Sequence, residues 1–184
     1  MRFRDTLIAD FGAMSAAPPT LLGMIGALVF RPRFQAVFLY RCYSSIGANN
    51  PPARLAKRLF WLLNYYLHGC EIHLEAKIGP GLNLPHPHGV TIARVTIGQN
   101  VTICQHVTIG QLDFTDVHRK PEDMPIIEDG VTVFAGAVIA GRIRIGSQAI
   151  IGANAVVTKD VPGNCTAVGV PARVLPAKSA ITAK

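Results

Sequence analysis

The sequence predicts a mainly β protein, a parallel β-helix with a short α-helical cap at its N-terminus. Large aliphatic residues recur every six positions at Ile127, Val133, Ile139, Ile145, Ile151 and Val157. Small residues follow several of them: Ala140, Gly146 and Gly152. The same step runs earlier through Ile72, Ile78, Leu84 and Val90, and after a one-residue slip through Ile97, Ile103 and Ile109. A helix repeats its apolar positions every three or four residues and an isolated strand every second. A six-residue step with a small neighbour instead fits short strands joined by tight corners, three to a triangular coil.

Residues 1–70 lack this step and read as a helical region. Arg33 to Ser45 is expected to be helical, with Phe34, Val37, Phe38 and Tyr40 at suitable spacing. Pro51-Pro52 opens a second helix near Ala53, since proline is tolerated in a first turn. Its stripe of Leu55, Leu59, Leu62, Leu63 and Tyr66 is expected to pack on the solenoid end or on a partner subunit. The sharper alternative is peripheral contact with a membrane, helped by Arg54, Lys57 and Arg58. Either way, the region caps the exposed end of the solenoid. The β-helix is assigned to residues 71–175. One interruption, loop 110–126, is polar and contains Pro121 and Pro125; Ile109 and Ile127 on either side lie 18 positions apart. The loop either replaces a coil or bulges from a corner, and such loops commonly carry function. Residues 176–184 read as a loose tail.

Composition narrows the classes. The 184 residues are 49% hydrophobic and 16% charged, too apolar for disorder. The net charge of +7 suits an anionic ligand, and no basic run is long enough to favour nucleic acid. Cys42, Cys70, Cys104 and Cys165 are dispersed without metal-ligand spacing, which points to a reducing, cytoplasmic setting and no metal. No signal peptide is expected, and the apolar stretch from Leu21 to Phe30 is too short to span a bilayer.

The segment Glu71-Ile-His-Leu-Glu-Ala-Lys-Ile-Gly-Pro-Gly-Leu-Asn-Leu-Pro-His86-Pro-His-Gly resembles the serine acetyltransferases, which begin this stretch with an acidic residue, Ile and His and close it with a catalytic His followed by Gly. Phe30-Arg-Pro-Arg-Phe-Gln-Ala-Val-Phe-Leu-Tyr-Arg resembles the helix before that family's repeats, and residues 130–173 are similar throughout, ending Gly169-Val-Pro-Ala-Arg173. The resemblance implies a left-handed coil, acetyl-CoA as cosubstrate and a homotrimer with the donor groove between subunits. It assigns His86 as the general base and Glu71 as its orienting partner. A neutral imidazole suits removal of a hydroxyl proton near pH 7, and a carboxylate on the far nitrogen fixes the tautomer. Counted in hexads, Glu71 and His86 fall on the same face. His73, Pro85 and His106 are expected at the acceptor pocket, with His88 a competing base. Ala135, Gly136, Gly152 and Ala153 are expected along the pantetheine arm, and Lys159 and Arg173 at the nucleotide end. For each, an ordinary solenoid corner or a solvated face is the competing reading.

The acceptor-side residues depart from the family. Pro85 stands where the family has Asp, Glu71 where it has Asp, Asp123-Met124 where it has an Arg-His pair before Pro, and Gly110-Gln-Leu-Asp where it has Gly-Gly-Thr-Gly. The tail also lacks the terminal Ile that many of those enzymes use to dock their successor. These losses lead to the expectation of a changed acceptor: a saccharide hydroxyl, as in exopolysaccharide and colanic-acid O-acetyltransferases, modified in the cytoplasm or at the inner face of its membrane. Serine O-acetylation is the alternative. A carbonic-anhydrase-like zinc enzyme and a non-catalytic scaffold are the alternatives from other classes.

Overall fold

The computed structural model describes residues 2–15, 18–112 and 123–176. Fourteen short strands among them form three parallel sheets wound as a β-helix. Sheet A stacks β1 (Glu71–Ile72), β3 (Thr91–Ile92), β6 (Thr108–Gly110), β9 (Val138–Ala140) and β12 (Val156–Val157). Sheet B stacks β2 (Lys77–Ile78), β4 (Thr96–Ile97), β7 (Ile126–Ile127) and β10 (Arg144–Ile145). Sheet C stacks β5 (Thr102–Ile103), β8 (Thr132–Val133), β11 (Ile150–Ile151) and β13 (Thr166–Val168) and ends in the antiparallel β14 (Arg173–Leu175).

The second residue of nearly every two-residue strand points inward, and the register aligns these residues as columns. Ile72, Ile92, Ile109, Ile139 and Val157 stack in sheet A. Ile78, Ile97, Ile127 and Ile145 stack in sheet B, and Ile103, Val133, Ile151 and Ala167 in sheet C. All are buried. β-branched side chains fit a pleated, packed surface with little rotamer freedom to lose, and each buried Ile or Val contributes about 1.5–3 kcal/mol of transfer energy. Coils press closely at the corners: a Cβ on Gly79 would lie 2.6 Å from the Gly98 carbonyl oxygen.

The beat departs from its expected phase at one place. Val90 is buried, but the sheet A partner of Ile72 is Ile92. The step from Leu84 to Ile92 is therefore eight residues, and the next, to Ile97, is five. The two additional residues enlarge the corner that contains His86. The chain leaves sheet A after β6 and is next described in sheet B at β7, so the interruption between Ile109 and Ile127 falls between successive sheets of the coil. Residues 113–122 of that loop, and 177–184 of the tail, lie outside the described residues.

The N-terminal region holds four helices, two more than expected: α1 (Phe3–Met14), α2 (Leu21–Phe30), α3 (Pro32–Ser45) and α4 (Pro51–His68). Asn50 caps α4 by accepting from the Ala53 N–H at 2.9 Å, and Gly69 ends it at φ +56°. The solenoid is capped by α3, not by the α4 stripe. Tyr40 and Tyr43 donate to the Ala76 and Ile72 carbonyls of the first coil at 3.0 and 2.8 Å. Arg41 is buried with Asp10 of α1: its Nε and Nη2 donate to the carboxylate at 2.8 and 3.0 Å, while Nη1 and Nη2 donate to the Ile78 and Gly79 carbonyls. Asp10 also accepts from the Leu82 N–H at 2.9 Å. Leu55, Leu59, Leu63 and Tyr66 of α4 remain exposed. No single described helix is long and apolar enough to cross a membrane; α2 and α3 pass such a test only as a pair bent by 103°, and α3 is largely buried in the protein.

Candidate active site

Most of the candidate site residues gather on one edge of the prism, where the chain turns from sheet C into sheet A. The first such corner is the enlarged segment with Pro85, His86, Pro87 and His88. The following corners hold Gln105-His106, Ala135-Gly136 and Gly152-Ala153-Asn154. Backbone hydrogen bonds stack these corners: Gly89 N–H to Gly69 O at 2.8 Å, His106 N–H to His88 O at 3.2 Å, Gly136 N–H to Gln105 O at 3.0 Å, and Asn154 N–H to Ala135 O at 2.9 Å. The stacked corners form a continuous strip running from the helical cap toward the last coil.

His86 is exposed on this strip. It lines an open depression of about 530 Å³ with Pro85, Pro87 and the α2–α3 junction at Phe30, Arg31 and Arg33. His88 and His106 are also exposed, with ring centroids 6.1 Å apart at 89°. The His88 ring fills the space beside Gly69 and the His106 ring the space beside Gly89, so a Cβ on either glycine would collide with an imidazole. His106 holds φ +56°, an uncommon conformation for a residue with a side chain. These two histidines pack edge to face, one above the other on the strip.

Glu71 lies at the foot of the same edge, in β1, two residues past Gly69. Its N–H donates to the Val90 carbonyl at 2.9 Å. The hexad count put Glu71 and His86 on one face; the structure puts Glu71 in sheet A and His86 in the enlarged corner leading back to it, because that corner has the two additional residues. No hydrogen bond joins their side chains in the described chain. Glu71 instead lines a depression of about 180 Å³ with Arg58, Trp61, His73 and Leu74. His73 accepts the Glu75 N–H on Nδ1 at 3.1 Å, so in its neutral form it carries its proton on Nε2. Partial burial lowers its pKa from the ordinary imidazole value, against the opposing pull of Glu75.

Further along the strip, Ala135, Gly136 and Gly152 are half-buried and Ala153 is exposed. Side chains this small leave the backbone open to an extended ligand. Lys159 lies away from the strip, past the sheet A end of the last coil, in a pocket of about 150 Å³ with Pro171 and Ala172. Arg173 lies on β14, paired with Val168. The structure thus brings together His86, Pro85, His106 and the small-residue corners, places Glu71 and His73 in an adjoining depression, and leaves Lys159 and Arg173 elsewhere. No cluster of three or more metal-ligating side chains occurs among the described residues. The sequence reading missed Arg31 and Arg33 as neighbours of His86. The signal available was their position in the Phe30-Arg-Pro-Arg segment, but sequence spacing does not show that the junction folds back onto residue 86.

The fold and the repeat define a hexapeptide-repeat transferase, and residues 124–159 match the family described as bacterial transferase hexapeptide (six repeats). The chain is 36% identical over 171 residues to a serine acetyltransferase of Synechococcus elongatus, covering 92% of this chain and 68% of that one. A Staphylococcus epidermidis serine acetyltransferase is 42% identical over 122 residues, covering 66% of this chain and 55% of that one. The chain therefore belongs to the serine acetyltransferase family. Among solved structures, the Neisseria gonorrhoeae serine acetyltransferase in complex with serine superposes with a TM-score of 0.79 at 31% identity, covering 93% of this chain and 68% of that one. A serine acetyltransferase in complex with CoA superposes at 0.78 with 30% identity, covering 94% and 69%. The chain spans between about half and about two thirds of the length of these relatives. The expected saccharide acceptor and the exopolysaccharide branch are overturned by these matches: relatives across most of the chain carry the serine acetyltransferase name despite the changes at Pro85, Glu71 and Asp123.

Proposed function

We propose that this protein transfers the acetyl group of acetyl-CoA to the side-chain hydroxyl of L-serine. The observation that carries the proposal is the exposed His86 at the head of a small-residue strip, in a chain 36% identical over 92% of its length to a serine acetyltransferase. His86 accepts the hydroxyl proton as the serine oxygen attacks the thioester carbonyl carbon. The new C–O bond forms, the C–S bond breaks, and the imidazolium returns the proton to the departing CoA thiolate. No acyl-enzyme is formed. Glu71 is the proposed orienting group of His86. Backbone N–H groups of the strip stabilise the developing oxyanion.

The proposal includes a left-handed coil and a homotrimer, with acetyl-CoA lying between neighbouring subunits along the strip. Ala135, Gly136, Gly152 and Ala153 would face the pantetheine arm. Lys159 and Arg173 would meet the nucleotide phosphates where the groove passes the last coil. His73 and His106 would border the acceptor. The setting is a reducing cytoplasm, in keeping with four free cysteines. Thiol release from acetyl-CoA by the purified protein tests the reading. Release that depends on L-serine, with O-acetylserine formed in equal amount, is the expected result; release with no amino acid acceptor refutes it.

A further inference from the structure

We propose that Arg31 and Arg33 form the anion-recognition element of the acceptor pocket and hold the carboxylate of the amino acid beside His86. The proposal rests on the serine O-acetylation reading and names the residues that select an acceptor bearing a carboxylate. Both arginines line the depression that contains His86, and no carboxylate side chain lines it. The ion pairs among the described residues are Arg41–Asp10, Arg94–Glu75 and Arg144–Glu128. Arg31 and Arg33 belong to none of them, so both arginines that line this depression lack a protein counter-charge among the described residues.

Their backbone is fixed. The Arg31 N–H donates to Ala27 O at 2.9 Å, and the Arg31 carbonyl accepts from Phe34 and Gln35 at 2.9 and 3.1 Å. The Gln35 side chain bridges back to the Leu28 and Val29 carbonyls at 2.7 and 3.1 Å, which ties α2 to α3 at the junction. Acceptor chemistry supplies the remaining requirement. In serine the hydroxyl-bearing carbon and the carboxylate are both bonded to Cα, so a base at the hydroxyl has the carboxylate close by. The cation that binds it must stand next to the base. A guanidinium meets a carboxylate with two parallel hydrogen bonds, which a lysine does not reproduce.

The test is steady-state kinetics of the full chain carrying Arg31→Ala with Arg33→Ala, and separately Arg31→Lys with Arg33→Lys. The acceptors are L-serine and L-serine methyl ester, whose carboxylate charge is removed. The alanine variant is expected to raise KM for L-serine roughly 10- to 100-fold, as for the loss of a charge-assisted pair. Its kcat and its KM for acetyl-CoA should stay within about twofold, and it should lose the wild-type preference for serine over the ester. The lysine variant should recover part of the affinity. An unchanged KM for serine overturns the proposal, as does a rise confined to acetyl-CoA, which would assign the arginines to CoA phosphates.

A second measurement separates this proposal from the reaction itself. The His86 imidazole resonance is followed by NMR while sodium acetate is titrated into wild type and into the alanine variant. Saturation in wild type that is lost in the variant, without turnover of serine, leaves the anion site standing and removes the serine reading. Absence of saturation in wild type overturns the anion site.

Discussion

Replacing Arg41 with alanine should destabilise the protein strongly, because Arg41 joins α1, α3 and the first coil at one buried point. Its side chain is 6% exposed and that of Asp10 is fully buried. Truncation removes four donated hydrogen bonds: two to the Asp10 carboxylate and one each to the Ile78 and Gly79 carbonyls. Asp10 is left charged and buried, with the Leu82 N–H at 2.9 Å as its remaining hydrogen bond in the described structure. At about 1.5–3 kcal/mol per charged hydrogen bond, a simple sum would exceed the effect observed when such pairs are broken, since these bonds are not additive. The better guide is the measured cost of removing one partner of a buried pair, about 3–5 kcal/mol. For a chain of this size that corresponds to a fall in Tm of roughly 6–20 °C. Thermal unfolding of Arg41→Ala followed by circular dichroism measures it. The double variant Asp10→Leu with Arg41→Met should recover most of the loss, since no unpaired charge remains. A Tm within about 2 °C of wild type for Arg41→Ala, on the same stability scale, would refute the reasoning.

Two further outcomes follow from buried titratable groups. Cys70 is buried and its thiol is pushed up to about 12, chiefly by desolvation and secondarily by Glu71, so roughly one molecule in ten thousand carries the thiolate at pH 8, and mass spectrometry after brief alkylation should find Cys70 unmodified in the native protein. Modification of Cys70 as fast as the half-buried Cys104 would contradict its placement. His68 is buried with no hydrogen-bond partner on Nε2 among the described residues, and burial lowers its pKa. Its folded pKa lies below its unfolded value, so protonation favours the unfolded chain: its stability contribution is complete above about pH 6.5 and declines as pH falls through and below that value. His68→Phe should flatten the acid side of a plot of Tm against pH; an unchanged slope would show that His68 is not the group involved.

The solenoid was legible because its signal is local. Thr96-Ile97, Thr102-Ile103 and Thr108-Ile109 each place a β-branched pair at a corner-to-corner interval, and the structure keeps each Ile inside. The phase error at Val90 has a physical cause. Val90 and Ile92 are both buried, so an apolar count cannot decide which one lines the strand. The difference is made by the enlarged corner at Pro85 to Gly89, where the histidines sit. The cap was only half legible. Pro18-Pro19 and the glycines of residues 21–30 obscured α1 and α2, and the apolar stripe of α4 drew attention from α3, whose burial comes through Tyr40, Arg41 and Tyr43. The Asp10–Arg41 pair spans 31 positions and leaves no periodic trace. For the site, the family pattern marks His86 and the corners mark the small residues, and the structure places them along one strip. Pro85 and Asp123 stand out in the sequence as lost acceptor contacts, whereas spacing carries no sign that the α2–α3 junction lines the depression that holds His86.

The most direct measurement is the rate of thiol release from acetyl-CoA with L-serine, for the wild-type protein and for His86→Ala side by side. The account predicts serine-dependent release by wild type and a fall of roughly 10²- to 10⁴-fold in kcat for the variant, with the fold intact by circular dichroism. Serine turnover that persists at the wild-type rate without the imidazole would contradict it, and so would a folded wild-type protein that releases no thiol in the presence of serine.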